Sequence, residues 1–261
     1  MYSERLGRVL LCLGVLLAAG CSVREDRTEC PCLLILSFEP GAWDGYGWEE
    51  IGWSVRSDSF FCRGCVPADD VPEEYVVEVP REPVTMTVAA GDEGLFDPEV
   101  GLRIPEGEPC PPFYGLAVPV DGALPEVRVP VLLHKRYASL DVRLHDLGQA
   151  GLRWTLKGCV CGYGPGLEPV RGPFSVALAP DAEGRCRVAI PAQEDGTLTL
   201  CAYRYGELDR IFAIGQYILE SGYDWDAPDL EDIVLEIDYV DSAARIKINQ
   251  WSKTLYFTIA V

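Results

Sequence analysis

The amino-acid sequence predicts an all-β protein with two tandem β-sandwich domains, and three observations support this prediction. Apolar and polar residues alternate in many short runs, which in a strand places one side chain inward and the next outward. The 20 prolines and 26 glycines lie mainly between these runs, where they mark turns. The chain has 261 residues, which is long for a single sandwich of roughly 100 residues.

The alternating runs recur through the chain, and no comparable helical periodicity accompanies them. In order they cover 75–79, 84–88, 127–131, 140–144, 174–178, 197–200, 233–239, 244–248 and 254–261. An extended run ends near His134-Lys135-Arg136 and a new alternating strand begins at Tyr137. We therefore expect a first sandwich of residues 30–134 and a second of residues 135–261.

The first 20 residues have the features of a bacterial export signal. Arg5 and Arg8 precede an apolar run of about nine residues, which is too short to cross a bilayer as a helix. The segment Leu17-Ala18-Ala19-Gly20-Cys21 then resembles a lipobox. This resemblance implies that residues 1–20 are a lipoprotein signal peptide and that Cys21 is acylated after cleavage. An ordinary secretory signal followed by a cysteine is the alternative, and residues 21–29 are expected to form a polar tether.

The net charge of the chain limits the classes of molecule that it is expected to bind. With 41 acidic and 22 basic residues, the formal net charge is −19. Nucleic acid is not expected as a partner, because phosphate binding needs clustered Lys and Arg. The same charge repels anionic lipid head groups, so the covalent lipid on Cys21 is expected to hold the chain on the membrane.

The eleven cysteines indicate an oxidising compartment. The runs at 185–190 and 197–203 are predicted to form a hairpin in which Cys186 and Cys201 lie directly opposite each other. Such a cross-strand pair has a separation compatible with a disulfide, provided that no bulge shifts the register. Cys62 and Cys65 form a CxxC motif that is compatible with a disulfide, a metal site or redox chemistry. Disulfides are favoured, because no second CxxC and no βαβ context accompany it.

The sequence contains no convincing catalytic constellation, so an enzyme is not expected, and no cofactor or metal is expected beyond the lipid. His134 and His145 are isolated from any nucleophile motif. The acidic stretch 224–232 could hold Ca²⁺, but it lacks EF-hand spacing and reads more simply as a solvated loop. An aromatic group could stack on a sugar or pack on a core. It comprises Trp43, Tyr46, Trp48 and Trp53.

Several motifs, taken in order, resemble the FimB-type fimbrillin-associated anchor family of Bacteroidales. They are Asp26-Arg27-Thr28-Glu29-Cys30-Pro31-Cys32, Leu132-Leu133-His134-Lys135-Arg136-Tyr137-Ala138, Leu219-Glu220-Ser221-Gly222-Tyr223-Asp224-Trp225, Asp229-Leu230-Glu231-Asp232-Ile233 and Ile237-Asp238-Tyr239. The resemblance covers the whole chain after Cys21, and it is carried by the order and spacing of the motifs together, since no single motif is highly specific.

The resemblance implies two transthyretin-like β-sandwich domains and a structural, non-enzymatic role in a type V fimbria. It implies a lipid-anchored protein of the outer membrane that is exposed at the fimbrial base, with a fimbrial stalk subunit as partner. A fimbrial accessory or tip subunit and a surface glycan-binding lipoprotein remain as alternatives.

The last eight residues are β-prone, carry no charged side chain and contain neither Gly nor Pro. Such a segment must be paired, either in its own sheet or with a neighbouring subunit. We expect this strand, or the groove that receives it, to form the contact with the stalk subunit. Its residues are Thr254, Leu255, Tyr256, Phe257, Thr258, Ile259, Ala260 and Val261.

Overall fold

The chain folds almost entirely into β-strands. The computed structural model describes residues 30–39, 41, 46–92, 94–145, 152–239, 243–248 and 251–256. One short helix, α1 (Ile214–Glu220), lies within these residues. The strands are β1 (Cys32–Ser37), β2 (Glu50–Arg56), β3 (Phe61–Pro67), β4 (Glu74–Val79), β5 (Pro83–Gly91), β6 (Leu102–Arg103), β7 (Phe113–Asp121), β8 (Glu126–Pro130), β9 (His134–Lys135), β10 (Tyr137–His145), β11 (Leu152–Tyr163), β12 (Pro169–Leu178), β13 (Arg185–Pro191), β14 (Thr199–Arg204), β15 (Glu207–Phe212), β16 (Ile233–Asp238), β17 (Ala243–Ile248) and β18 (Trp251–Tyr256).

These strands form four sheets. Sheet I has the order β4-β1-β8, and sheet II has the order β3-β2-β5-β7-β9. Sheet III has the order β12-β11-β14-β15, with β6 also paired to β11, and sheet IV has the order β13-β10-β16-β17-β18. Most neighbours are antiparallel, but β1 is parallel to β8 and β10 is parallel to β16.

The two halves of the chain repeat one topology. In the first half, β1 lies between antiparallel β4 and parallel β8, and β10 lies in the same way between β13 and β16 in the second half. The four-strand order β3-β2-β5-β7 corresponds to β12-β11-β14-β15. The second half differs by the β17–β18 pair, which extends sheet IV beyond β16.

Alternation decides which face each strand buries. In β10, Leu140, Val142 and Leu144 are buried, whereas Asp141 and Arg143 between them are exposed. Burial of each such leucine or valine stabilises the fold by about 2 kcal/mol. One strand face therefore supplies a core and the other meets solvent, as the sequence pattern predicts.

Two hydrophobic clusters lie between the sheets. The first is built from the inward faces of sheets I and II, for example Leu34 and Met86. The second is built from sheets III and IV, for example Leu140 and Leu156. Residues 102–113 come from the first half of the sequence, yet Leu102 and Phe113 pack in the second cluster.

Close packing joins the two halves at β7. A Cβ added to Gly115 would lie 2.5 Å from Leu167 Cδ1, so only glycine lets this leucine approach the sheet so closely. Leu167 lies in the turn between β11 and β12 and has a positive φ of 63°. The turn is held there partly by Arg136, whose Nη2 donates to the Leu167 carbonyl at 3.4 Å.

Tyr163, at the end of β11, is 1% exposed and joins three segments. Its hydroxyl donates to the Arg136 carbonyl at 2.5 Å and accepts from the Ala192 amide at 2.7 Å. Its ring meets Phe113 edge-on at a centroid distance of 5.0 Å. Burial, the largest cause, raises the pKa of this hydroxyl far above its usual range, so it stays protonated.

The all-β class and the sandwich arrangement predicted from the sequence are confirmed. Alternating runs correspond to β4, β5, β8, β10, β12, β14, β16, β17 and β18, and β10 begins at Tyr137 as expected. The segments of β2, β3, β7 and β11 were not identified from the pattern. The division at residue 134 into two domains stays a prediction.

We expect Tyr163→Phe to lower the free energy of unfolding by about 2 kcal/mol, because two backbone groups lose their buried partner. Urea unfolding at neutral pH measures this change. Tyr205→Phe is the matched control, since Tyr205 is 84% exposed and should leave the midpoint unchanged. Equal stability of the two variants would contradict the role given to the Tyr163 hydroxyl.

Candidate functional site

An aromatic cluster lies where β2, β7 and β10 begin. Tyr46 stacks on Trp48 at a centroid distance of 4.4 Å, and both rings contact Tyr114 at 5.1 and 5.2 Å. Tyr114 in turn meets Tyr137 edge-on at 6.1 Å. Burial, followed by a hydrogen bond with the Tyr137 hydroxyl, raises the pKa of Tyr114 far above its usual range. The Tyr114 hydroxyl therefore stays protonated, and Tyr46 is the outermost ring of the cluster at 47% exposure.

The sequence placed Tyr46 and Trp48 in an aromatic group but did not identify Tyr114 or Tyr137. These two residues are distant along the chain and reach the cluster only through strand pairing. Trp53, by contrast, is buried in the first core and contacts Tyr75 at 5.5 Å, so it packs inward as the simpler interpretation expected. Trp43 lies outside the described residues.

A network of charged groups borders this cluster. Asp229 accepts from the Lys135 amide at 2.7 Å, and one of its oxygens lies 2.9 Å from His134 Nδ1. Asp232 pairs with the Lys135 ammonium, accepts from the Ser139 amide at 3.1 Å and accepts from Arg187 Nη2 at 2.7 Å. The network ties the segment before β16 to β9, β10 and β13.

These contacts assign the acidic stretch 224–232 a structural role. The Asp232 carboxylate pairs with Lys135 and Arg187, the Asp229 carboxylate contacts His134, and the Tyr223 hydroxyl donates to the Glu231 carbonyl at 2.7 Å. Within the part of the chain that the structure describes, no group of three or more His, Cys, Asp or Glu side chains is arranged to hold a metal. His134 serves as the partner of Asp229.

The predicted hairpin that would bring Cys186 and Cys201 together is wrong. Strand β13 pairs with β10 in sheet IV, whereas β14 pairs with β11 and β15 in sheet III. Cys186 lies opposite Val142 and packs against the second core, while Cys201 lies opposite Thr155. Both thiols are free, as are those of the other described cysteines. The chain crosses between sheets after β13, and alternation alone does not reveal such a crossing.

The CxxC motif does not form a local disulfide either. Cys62 and Cys65 lie three positions apart within β3, so their side chains point to opposite faces of sheet II. Cys62 is paired in register with Val55, and Cys65 with Gly52. A hydrogen bond to the Glu50 carboxylate is the largest cause that raises the pKa of the Cys65 thiol.

The remaining predicted site residues lie at the two ends of the chain. Cys21, the predicted acylation site, lies outside the described residues. Of the C-terminal segment, Thr254, Leu255 and Tyr256 form the end of β18, which pairs antiparallel with β17. Residues 257–261 lie outside the described part. Strand β18 is the last strand of sheet IV, so no described strand pairs with its outer edge.

None of the described helices combines the length and the apolar composition that crossing a membrane requires.

No protein-family model matches the sequence, and comparison with curated protein sequences finds no significant match. Solved structures do match. A candidate polysaccharide-binding protein from Bacteroides thetaiotaomicron has a TM-score of 0.61 at 11% identity, over 86% of this chain and 98% of that chain. The chain shares its fold. The fimbrial anchor protein Mfa2 from Porphyromonas gingivalis also has a TM-score of 0.61, at 12% identity over 87% of this chain and 100% of that chain.

A candidate adhesin from Bacteroides ovatus matches with a TM-score of 0.55 at 13% identity, over 90% of this chain and 98% of that chain. The three neighbours are thus proteins of Bacteroidales described by fimbrial, adhesive or polysaccharide-binding roles. At these identities the likeness shows the fold, and it extends over nearly the whole of each neighbour.

We expect Asp232→Asn to destabilise the chain by about 1 kcal/mol at pH 7, since water screens part of these charged hydrogen bonds. Burial alone would raise the pKa of Asp232, but hydrogen bonds from Lys135 and Ser139 and the nearby charge of Arg187 lower it below its ordinary 3.8. The advantage of the wild type should therefore persist from pH 7 to about pH 4 and shrink as the pH falls further.

Urea unfolding at pH 7, 5 and 3 measures this difference. Asp226→Asn, an exposed position in the same segment, is the matched control and should show no comparable loss at pH 7. A difference between Asp232→Asn and the wild type that stayed constant down to pH 3 would rule out the proposed ionic origin.

Proposed function

We propose that the chain is an outer-membrane lipoprotein that anchors a type V fimbria and helps to assemble it. The observation that carries this proposal is the fold shared with the anchor protein Mfa2 over the entire length of that chain. The order of motifs along the sequence resembles the same class of protein. Acylation of Cys21 would supply the membrane attachment, because several acyl chains together hold a protein stably on a bilayer.

The role is proposed to be structural and non-enzymatic. His134, one of the two histidines of the sequence, contacts the Asp229 carboxylate through Nδ1 at 2.9 Å. A pair of sandwich domains, divided near residue 134, would give the anchor two rigid units, and the packing of Leu167 on Gly115 would limit their relative movement.

Strand β18 is proposed as part of the contact with the stalk subunit. An edge strand presents unpaired backbone groups on one side, and a partner's strand can satisfy them with main-chain hydrogen bonds. Lys253 precedes the uncharged stretch 254–261, so no charged side chain within that stretch would repel an added strand. If the chain truncated before residue 254 stayed folded and still bound the stalk, this contact would be rejected.

Deletion of the gene in the native host is expected to release fimbriae into the medium or to change their length. Electron microscopy of cells and immunoblots of cell and medium fractions measure attachment and length. The wild-type gene should restore attachment, whereas Cys21→Ala should not, because it removes the acylation site. Fimbriae that remain attached at normal length would reject the anchor role, and attached fimbriae that lack a terminal subunit would indicate an accessory or tip role.

Surface glycan binding is the second candidate, and the aromatic cluster favours it. Stacked aromatic faces with one exposed ring can pack on the apolar face of a sugar. Tyr46 and Trp48 present such a pair, and the Lys135 ammonium lies 4.9 Å from the centroid of the neighbouring Tyr137 ring.

If this second role holds, Trp48→Ala should abolish saturable binding on an array of polysaccharides, because it removes the stacking partner of Tyr46. Tyr205→Ala, which removes an exposed aromatic side chain elsewhere, should leave binding intact. Binding that is absent in the wild type, or equal in both variants, would reject the cluster as a glycan site.

A further inference from the structure

The outer face of sheet III, which points away from the second core, presents two cations on one strand. Trp154 and Leu156 of β11 point into that core. Arg153, Thr155 and Lys157 alternate with them and therefore lie on the outer face. Two basic side chains thus share one side of a strand, in a chain whose net charge is −19.

The strands beyond β11 bring no carboxylate into the same rows. Tyr203, Cys201 and Thr199 of β14 lie opposite the three outer residues of β11, in that order. Leu208 and Ile211 of β15 continue the rows of Tyr203 and Cys201. None of these paired positions is acidic, so the two cations are surrounded by hydroxyl, thiol and apolar side chains.

The acidic residues of β15 are occupied by other partners. Asp209 lies at the register shift between β14 and β15, where its carboxylate is 3.6 Å from Arg204 Nε and 3.7 Å from Arg210 Nε. It also accepts a hydrogen bond from the Tyr239 hydroxyl. Glu207 lies opposite Arg204. The arginines that balance these carboxylates are therefore not the two cations of the outer face.

Three donors on the outer face have hydrogens to spare. Lys157 Nζ donates to the Tyr203 hydroxyl oxygen at 2.8 Å, and this hydrogen bond is the largest cause that raises the pKa of Lys157. The ammonium keeps two further N–H groups, and the Tyr203 hydroxyl keeps its own hydrogen. Within the part of the chain that the structure describes, no side-chain contact occupies the five N–H groups of Arg153. We call Arg153, Lys157 and Tyr203 the donor group.

The donor group converges over the pair formed by Thr155 and Cys201. Lys157 and Tyr203 start on opposite sides of this pair and meet across it, which accounts for the low exposure of Cys201, 4%, on an outward face. Arg153 is two residues from Thr155, a rise of about 7 Å that an arginine side chain can span. A carboxylate above the pair is therefore within reach of all three donors, and such charge-assisted hydrogen bonds are strong ones.

The rest of the outer face suits a sugar polymer better than a protein. Lys157 lies between the hydroxyl side chains Ser175 and Thr199, whereas the centre of a protein interface is usually large and apolar. Leu208 and Ile211, each 51% exposed, can pack on the C–H groups of a sugar ring. The face is open to solvent, so a polymer lying across β12, β11, β14 and β15 gains more contact than a single small molecule.

The net charge of the chain does not oppose such a ligand strongly at close range. The Debye length is about 8 Å at physiological salt, so carboxylates on the other faces of the molecule are largely screened from this one. The local donors then decide which ligand binds.

We propose that the outer face of sheet III binds an anionic polysaccharide, with the carboxylate of a uronic acid residue received by Arg153, Lys157 and Tyr203. Neighbouring sugar hydroxyls exchange hydrogen bonds with Ser175 and Thr199. The site lies on a different sheet from the aromatic cluster of Tyr46 and Trp48. It does not depend on the fimbrial role, so its failure would leave that role standing.

Titration calorimetry of the purified chain with an oligogalacturonate tests the proposal. Saturable binding is expected. The fully methyl-esterified oligomer keeps the sugar skeleton but loses the charges, so it should bind about tenfold more weakly. Poly-L-glutamate, which has carboxylates but no sugar, should also bind more weakly than the oligogalacturonate.

Variants locate the binding at the donor group. Arg153→Gln and Lys157→Gln should each weaken binding about fivefold, as expected for charged hydrogen bonds that water partly screens. Tyr203→Phe keeps the ring and should weaken binding about threefold. Arg185→Gln is the matched control, because it changes the net charge equally at an exposed position in sheet IV. Thermal unfolding of each variant checks that the fold is retained.

The proposal fails if the oligogalacturonate does not saturate, or if its methyl ester binds equally well. Poly-L-glutamate that binds as tightly would assign the face to an acidic protein instead and would also overturn the proposal. If Arg185→Gln weakened binding as much as Arg153→Gln, the effect would come from net charge and the donor group would be rejected as the site.

Discussion

The two hydrogen bonds of the Tyr163 hydroxyl constrain the arrangement of the whole molecule. They connect the end of β11 to the start of β10 and to the residue that follows β13, while the ring contacts Phe113 of β7. Sheets II, III and IV thus meet at one side chain. Because the hydroxyl is buried, each bond forms in a low-dielectric setting where an unpaired group is costly. The packing of Leu167 on Gly115 next to this point makes the junction rigid.

The repeated topology explains how so acidic a chain folds around two cores. Each half places one parallel and one antiparallel neighbour beside a central strand, and each opposes this sheet with four antiparallel strands. Apolar alternation fills the space between the layers, and the carboxylates stay on the outer faces. In the acidic segment that precedes β16, Lys135 and Arg187 from the neighbouring strands pair with the carboxylate of Asp232.

Strands with one solvent-exposed face could be predicted from the sequence, because apolar and polar residues alternate clearly in strands such as β4 and β10. Strand β2 could not be predicted, because Ser54 on its outer face is buried and the alternation of buried and exposed residues is therefore lost. The pairing of strands could not be predicted either. Cys186 and Cys201 are close in the sequence, but the chain passes from sheet IV to sheet III between them.

The parallel pairing of β1 with β8 has a consequence for the order of events during folding. Leu34 and Leu36 lie near the start of the folded chain, but the strand that completes their sheet on this side lies far along the chain, at residues 126–130. Until β8 pairs with it, β1 has no lasting neighbour on that side. Non-local pairing of this kind also slows folding. Pairing of β1 with β8 is therefore expected to be a late step of folding, and the apolar face of β1 is open to unwanted association until it occurs.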